Sequence, residues 1–253
     1  MIKELATPII ISHRGVTNLG AQENTIESFN QAIAGGADYV ETDIRRTKDG
    51  YLVCFHDKKW NKVPVGALTY KEWIMQTGLL GWTPPLLEDV LDACRGKIRL
   101  NLEVKEPGLE EDIIKTASGR FPLKHLLISS FNDEILVRVK EIDSHVPTGL
   151  LLGKNVFQHR FRLTAYQQDI FPERRLIKTK ADIVCPNYRV LRLNFLKRMH
   201  ALQKPVYVWT VNHPKRMVDL VDKGADGLIT DQVKLAGELF GKKEIAEDKG
   251  KTS

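Results

Sequence analysis

The chain has 253 residues, 42% hydrophobic and 28% charged, with a formal net charge of +6 and a pI near 9.1. That length suffices for one α/β barrel, and no apolar run approaches the roughly 18 residues a membrane span requires. The three cysteines, at 54, 94 and 185, are too few and too scattered for a disulfide framework or a zinc site.

The N-terminal stretch from Met1 to Pro8 lacks the layout of a signal peptide, so the chain reads as reduced and cytoplasmic. Its positive charge suits an anionic small molecule, a membrane surface or nucleic acid. No nucleic-acid motif accompanies it, and nucleic acid is not expected as a partner. Nothing in the sequence specifies an oligomeric state.

In chain order, an apolar run over 8–12 predicts the first strand and ends in His13-Arg14-Gly15. Residues 25–35 place Ile26, Phe29 and Ile33 on one helical face, with Asn24 and Glu27 spaced as a capping box. The second strand, 38–45, carries Glu41 and Asp43. Lys48-Asp49-Gly50 is a turn signal, and Tyr51 to Phe55 reads as a strand returning along the second, closed by His56-Asp57. Residues 58–85, with Trp60, Trp73, Trp82 and Pro84-Pro85, are irregular and predict a small subdomain or lid.

Further strands are predicted at 98–105, 125–130, 147–152, 181–186, 205–211 and 226–230. Helices are predicted at 87–94, 109–119, 132–142, 190–202, 213–222 and 232–240, and a helical stretch at 155–178 breaks near Pro172. The strands are nearly continuous apolar runs, as parallel strands covered by helices are. Eight of them alternating with helices predict a TIM (β/α)8 barrel. A doubly wound sheet lacks its G-x-G-x-x-G turn here. The expected organisation is one barrel domain over 1–241, a small insertion at 51–85 after the second barrel strand, and a polar tail at 242–253.

Strand side chains alternate, so Tyr39, Glu41 and Asp43 share one face, as do Glu103 and Lys105. In a barrel these converge at the C-terminal mouth. Carboxylates held together repel unless a cation neutralises them, and an all-oxygen donor set suits Mg²⁺ or Ca²⁺. Taken singly, Glu103 with Lys105 is equally an ion pair, and Glu41 with Asp43 a solvated strand terminus. His13 and His56 each follow a strand and together read as an acid/base pair, although one such histidine alone is more often structural. Arg14 offers a forked donor for phosphate oxygens, and Gly15 allows close backbone approach. Trp209, at the end of the seventh strand, either walls a substrate pocket or fills a core layer. From Lys154 to Lys180, seven basic residues stand against Asp169 and Glu173; the run is a solvated face or an anion-attracting rim.

Taken in order, the motifs resemble a known family. They are His13-Arg14-Gly15, Glu23-Asn24-Thr25, Glu41-Thr42-Asp43, Lys48-Asp49-Gly50, Phe55-His56-Asp57, the run from Pro85 to Leu91, Leu102-Glu103-Val104-Lys105, Ser129-Ser130-Phe131, the run from Val208 to Asn212, and the run from Gly224 to Asp231. This set resembles the glycerophosphodiester phosphodiesterases over about residues 8 to 235. The resemblance implies a TIM barrel with a small insertion and release of an alcohol and sn-glycerol 3-phosphate. It implies Glu41, Asp43 and Glu103 as ligands of one divalent cation, His13 and His56 as acid/base pair, and Arg14 and Lys105 as phosphate-binding residues. After His56-Asp57 the chain departs from the family with Lys58-Lys59-Trp60-Asn61-Lys62-Val63, which bears on substrate identity. A lysophospholipase D-like enzyme and a non-catalytic anion-binding barrel are the alternatives.

Overall fold

The computed structural model describes residues 7–17, 20–154 and 163–242. The chain opens with β1 (Ile9–His13), α1 (Ile26–Ala34) and β2 (Tyr39–Arg46). After β2 come β3 (Leu52–Cys54), the two-residue strands β4 (Lys59–Trp60) and β5 (Val63–Pro64), α2 (Tyr70–Gly78) and α3 (Leu87–Cys94). The alternation then continues through β6 (Arg99–Val104), α4 (Glu110–Ala117), β7 (Leu126–Ser130), α5 (Asp133–Ile142) and β8 (Thr148–Leu152). Two helices follow, α6 (Leu163–Ile170) and α7 (Glu173–Thr179), the second starting after Pro172. The chain ends with β9 (Ile183–Pro186), α8 (Phe195–Ala201), β10 (Tyr207–Val208), α9 (Pro214–Asp222), β11 (Gly227–Thr230) and α10 (Val233–Leu239).

The main sheet runs β10, β11, β1, β2, β6, β7, β8, β9, with every neighbouring pair parallel. Parallel bridges from Val184 to Val206 and from Asn187 to Trp209 close it between β9 and β10. This is the (β/α)8 barrel the strand count predicts. Alternation sorts each strand into an inside and an outside. Ile11, Tyr39, Leu127, Leu151, Cys185, Tyr207 and Ile229 fill the interior. Their chain neighbours Ile10, Val40, Leu126, Leu150, Val184, Val208 and Leu228 belong to the core under the helices. Both layers are buried, which is why the strands lack polar alternation. Each fully buried aliphatic side chain is worth about 1.5–3 kcal/mol.

Four local features differ from the sequence expectation. Residues 58–85, expected to be irregular, hold the β4–β5 pair and helix α2, which Thr69 caps. The cap of α1 is Thr25, which exchanges hydrogen bonds with Ser28, rather than Asn24 with Glu27. Asn24 has another task, described below. Helix α8 starts at Phe195, not near 190, because Leu193 and Asn194 adopt positive φ of 53° and 56° and break the helix on its N-terminal side. Strand β10 has only two residues, because on either side of it, at Val206 and Trp209, the contact with β9 is an isolated bridge instead of a ladder.

Strand β3 lies antiparallel on β2, with Ile44 opposite Cys54 and Arg46 opposite Leu52. Beyond β3, Trp73 is fully buried among Val53, Val65 and Leu68. Phe55 meets the Trp73 ring edge-on at 4.9 Å and stacks on Trp82 at 6.2 Å. This aromatic packing fixes the chain on both sides of His56.

Candidate active site

The turn after β1 is built for close approach. His13 pairs in register with Glu41, and Arg14 and Gly15 both take positive φ, 58° and 82°. A Cβ on Gly15 would lie 2.2 Å from Ser28 Oγ. The glycine therefore admits the start of α1, so the close backbone approach expected of it is to the helix and not to a ligand. The Arg14 backbone N–H donates to Glu41 Oε2 at 3.0 Å. The Arg14 guanidinium donates to Glu23 at 3.2 Å and lies 3.3 Å from Asp43 Oδ2.

Asn24, also at positive φ, locks the middle of β2. Its amide nitrogen donates to Asp43 Oδ2 at 2.9 Å, and its carbonyl oxygen accepts from Thr42 Oγ1 at 2.6 Å and from the Asp43 N–H at 3.2 Å. Those bonds fix the orientation of the Asp43 carboxylate. They also explain why Asn24 does not cap α1.

Glu41 and Asp43 are buried, and Glu103 on the adjacent strand retains 13% side-chain exposure. Asp43 and Glu103 are register partners. One oxygen from each of Glu41, Asp43 and Glu103 lies within 4.8 Å of the others. Lys105 Nζ sits 2.7 Å from Asp43 Oδ1 and 2.5 Å from Glu103 Oε1. Burial, then the neighbouring Asp43 charge, raises the Glu41 pKa. Burial also acts on Asp43, but the charges of Lys105, Arg14 and His56 outweigh it and lower its pKa. Asp43 Oδ1 thus has the Lys105 ammonium as its partner. Three convergent carboxylates, one of them resisting ionisation, fit a hard divalent cation.

The two histidines face the same cavity. His13 Nδ1 lies 2.7 Å from Asp231 Oδ1, at the end of β11. Asn212 Nδ2 donates to the other Asp231 oxygen at 2.5 Å, while Asn212 Oδ1 accepts from the Asp231 N–H at 2.9 Å. His56 Nδ1 lies 2.8 Å from Asp57 Oδ1. The His56 carbonyl accepts two hydrogen bonds from the Arg45 guanidinium, at 3.0 and 2.6 Å. In both rings Nδ1 is held by an aspartate, which leaves Nε2 as the ring nitrogen available to a ligand. Burial alone would lower the His13 pKa, but the Asp231 hydrogen bond and the Glu41 charge raise it overall. Burial, helped by Lys105 and Arg14, lowers that of His56 against the pull of Asp43.

The cavity measures about 1180 Å³ and is lined by His13, Arg14, Glu41, His56, Glu103 and Lys105, among others. Trp209 is on its wall, with its ring edge-on to Phe131 at 5.5 Å and its Nε1 donating to the Cys185 carbonyl at 2.7 Å. All eight residues singled out from the sequence thus border or underlie one mouth: His13, His56, Arg14, Lys105, Trp209, Glu41, Asp43 and Glu103. From the sequence, Glu23, Asn212 and Asp231 fall within motifs without a role of their own, Asn24 reads as a helix cap, and Arg45 carries no signal as a site residue. Position alone marks them: each lies at a strand end or in the turn after β1.

In the basic stretch, Lys154, Arg174, Arg175 and Lys178 line the cavity. Arg160 and Arg162 lie outside the described residues. Among the described residues no helix is long and apolar enough to cross a membrane.

A model of the glycerophosphoryl diester phosphodiesterase family matches residues 13–235. The chain is similar to a glycerophosphodiester phosphodiesterase of Caldanaerobacter subterraneus, 27% identical with 88% of this chain and 93% of the relative covered. One from Bacillus altitudinis is 29% identical, with 88% and 94% covered. Among solved structures, the glycerophosphodiester phosphodiesterase of Thermotoga maritima superposes with a TM-score of 0.74 at 26% identity, covering 92% of this chain and 98% of that one. A phosphodiesterase of Oleispira antarctica, solved in complex with the product sn-glycerol-3-phosphate, gives 0.77 at 22% identity, covering 93% and 97%.

Proposed function

The chain belongs to the glycerophosphoryl diester phosphodiesterase family, and from that membership we propose that it hydrolyses glycerophosphodiesters to an alcohol and sn-glycerol 3-phosphate with one divalent cation, Mg²⁺ or Ca²⁺, held by Glu41, Asp43 and Glu103. One observation carries the reading: three carboxylate oxygens within 4.8 Å of one another share a cavity with two aspartate-held histidines. The product-bound Oleispira antarctica relative supports the choice of product.

When bound, the cation supplies positive charge to the phosphate oxygens and lowers the cost of the charge that builds on them. Every other task falls to the chain's own residues. Arg14 and Lys105 hold the non-bridging oxygens and fix the phosphorus over the carboxylates. One histidine Nε2 accepts the proton of the attacking hydroxyl, and the other donates to the departing alkoxide. Asp231 and Asp57 set which ring nitrogen faces substrate. The opposite displacements of the His13 and His56 pKa values suit a pair with opposite tasks near neutral pH. Trp209 walls the organic part of the substrate.

A non-catalytic anion-binding barrel needs no such histidine pair. A lysophospholipase D-like enzyme has the same chemistry but a lipid substrate. The test is the purified protein with glycerophosphoglycerol and, separately, with lysophosphatidylcholine. Release of sn-glycerol 3-phosphate from the first, with little cleavage of the second, supports the reading. The reverse preference would replace it.

A further inference from the structure

We propose that the cavity is built for diesters whose leaving alcohol carries a second anionic group, held by Lys154, Arg174 and Lys178. The inference rests on the hydrolytic reading above and names its substrate class.

The cavity's volume of about 1180 Å³ exceeds the roughly 300–1,000 Å³ usual for a small-molecule site. The lining continues from the carboxylates and histidines past Phe131 to Lys154, Phe171, Arg174 and Lys178. Those three cations are exposed, and among the described residues none has a carboxylate partner. Two of the acidic residues on this part of the wall are engaged by Arg175. Arg175 takes Asp133 at 2.7 Å and Asp169 at 3.1 Å, so beside these three cations Glu134 is the one lining carboxylate without a cationic partner among the described residues.

The aromatic faces point the same way. A quaternary ammonium head-group needs open aromatic faces and a carboxylate. Here Lys154 Nζ lies over the Phe131 ring at 5.7 Å, and the Arg198 guanidinium over Phe171 at 4.6 Å. Both faces already carry a cation. A choline group would meet like charge, whereas a phosphate or carboxylate would meet three unpaired donors.

The net reaction is unchanged. Water oxygen ends on phosphorus, the bond from phosphorus to the alcohol oxygen breaks, and the alcohol leaves with a proton, bearing its own anionic group.

The experiment compares glycerophosphoglycerol with the same diester bearing a terminal phosphate on the leaving glycerol. It uses the full chain with excess divalent cation at about 50 mM salt, where screening is weak, and follows loss of the diester phosphorus NMR signal. The wild type is expected to favour the phosphorylated substrate by about 10-fold in kcat/KM, a modest effect because the cations are exposed. K154Q/R174Q/K178Q should bring that ratio to within about 2-fold of unity, and glycerophosphocholine should be a poorer substrate than glycerophosphoglycerol. Equal rates in the wild type, or a preference that survives the triple substitution, would overturn this inference and leave the hydrolytic reading standing. Cleavage of none of the three diesters would overturn both.

Discussion

His13 Nδ1 and Asp231 Oδ1 lie 2.7 Å apart although 218 residues separate them. The contact spans the seam where β1 pairs with β11, so the barrel must form before the histidine is oriented. Asp231 is held in turn by both ends of the Asn212 amide. The His13 ring is thus tied to the last strand of the fold.

That contact has a measurable consequence. The Asp231 hydrogen bond and the Glu41 charge raise the His13 pKa against its burial. A raised pKa means that the contact stabilises the fold fully below the unfolded value of about 6.5, and that this stabilisation is lost as pH rises through the folded value. In D231N, burial dominates and the His13 pKa should fall. Titration by NMR of chelator-treated protein checks the direction. An unmoved His13 pKa would remove Asp231 as its partner.

The histidines should separate chemistry from folding. H13A and H56A are each expected to lower turnover by about 10²–10⁴-fold, the usual contribution of a positioned proton-transfer group. Circular dichroism spectra and melting temperatures should stay close to wild type, because both rings border the cavity and are not core. Lost stability with retained turnover per folded molecule would mark either ring as structural.

Lys105 sits between Asp43 and Glu103 at 2.7 and 2.5 Å, where its charge opposes a divalent cation bound to the same carboxylates. K105M should therefore bind Mg²⁺ or Ca²⁺ more tightly in calorimetry without substrate, yet show a raised KM because the proposed phosphate partner is gone. Weaker cation binding in K105M would show that the lysine instead organises the carboxylates.

Gly15 combines a φ of 82° with a virtual Cβ 2.2 Å from Ser28 Oγ. G15A should cost about 1–3 kcal/mol from the backbone strain alone, with the clash adding to it. It should also lower activity, because His13 and Arg14 precede it directly. Urea denaturation gives the stability change; a wild-type midpoint would contradict the geometry.

All eight barrel strands were legible because parallel strands buried on both faces leave uninterrupted apolar runs. Glu41, Asp43, Glu103, His13 and His56 were legible as polar residues just where those runs stop. Their supports were not. Asn24 has the chemistry of a helix cap, and only the approach of β2 shows that its amide is spent on Thr42 and Asp43. Asp231 and Asn212 become neighbours of His13 through barrel closure, which leaves no local spacing to read. The basic run from 154 to 180 looked uniform, whereas Arg175 is consumed by Asp133 and Asp169 and Lys154, Arg174 and Lys178 remain on the cavity wall. Which charges are free depends on packing, not on composition.

The central claim is that diester cleavage needs a divalent cation at Glu41, Asp43 and Glu103. Its most direct test is sn-glycerol 3-phosphate release from glycerophosphoglycerol by protein stripped with a chelator and then titrated with Mg²⁺ or Ca²⁺. The account predicts that release falls to background, returns on titration of the wild type, and does not return in the E41Q/D43N variant. Undiminished release from the stripped wild type would contradict it.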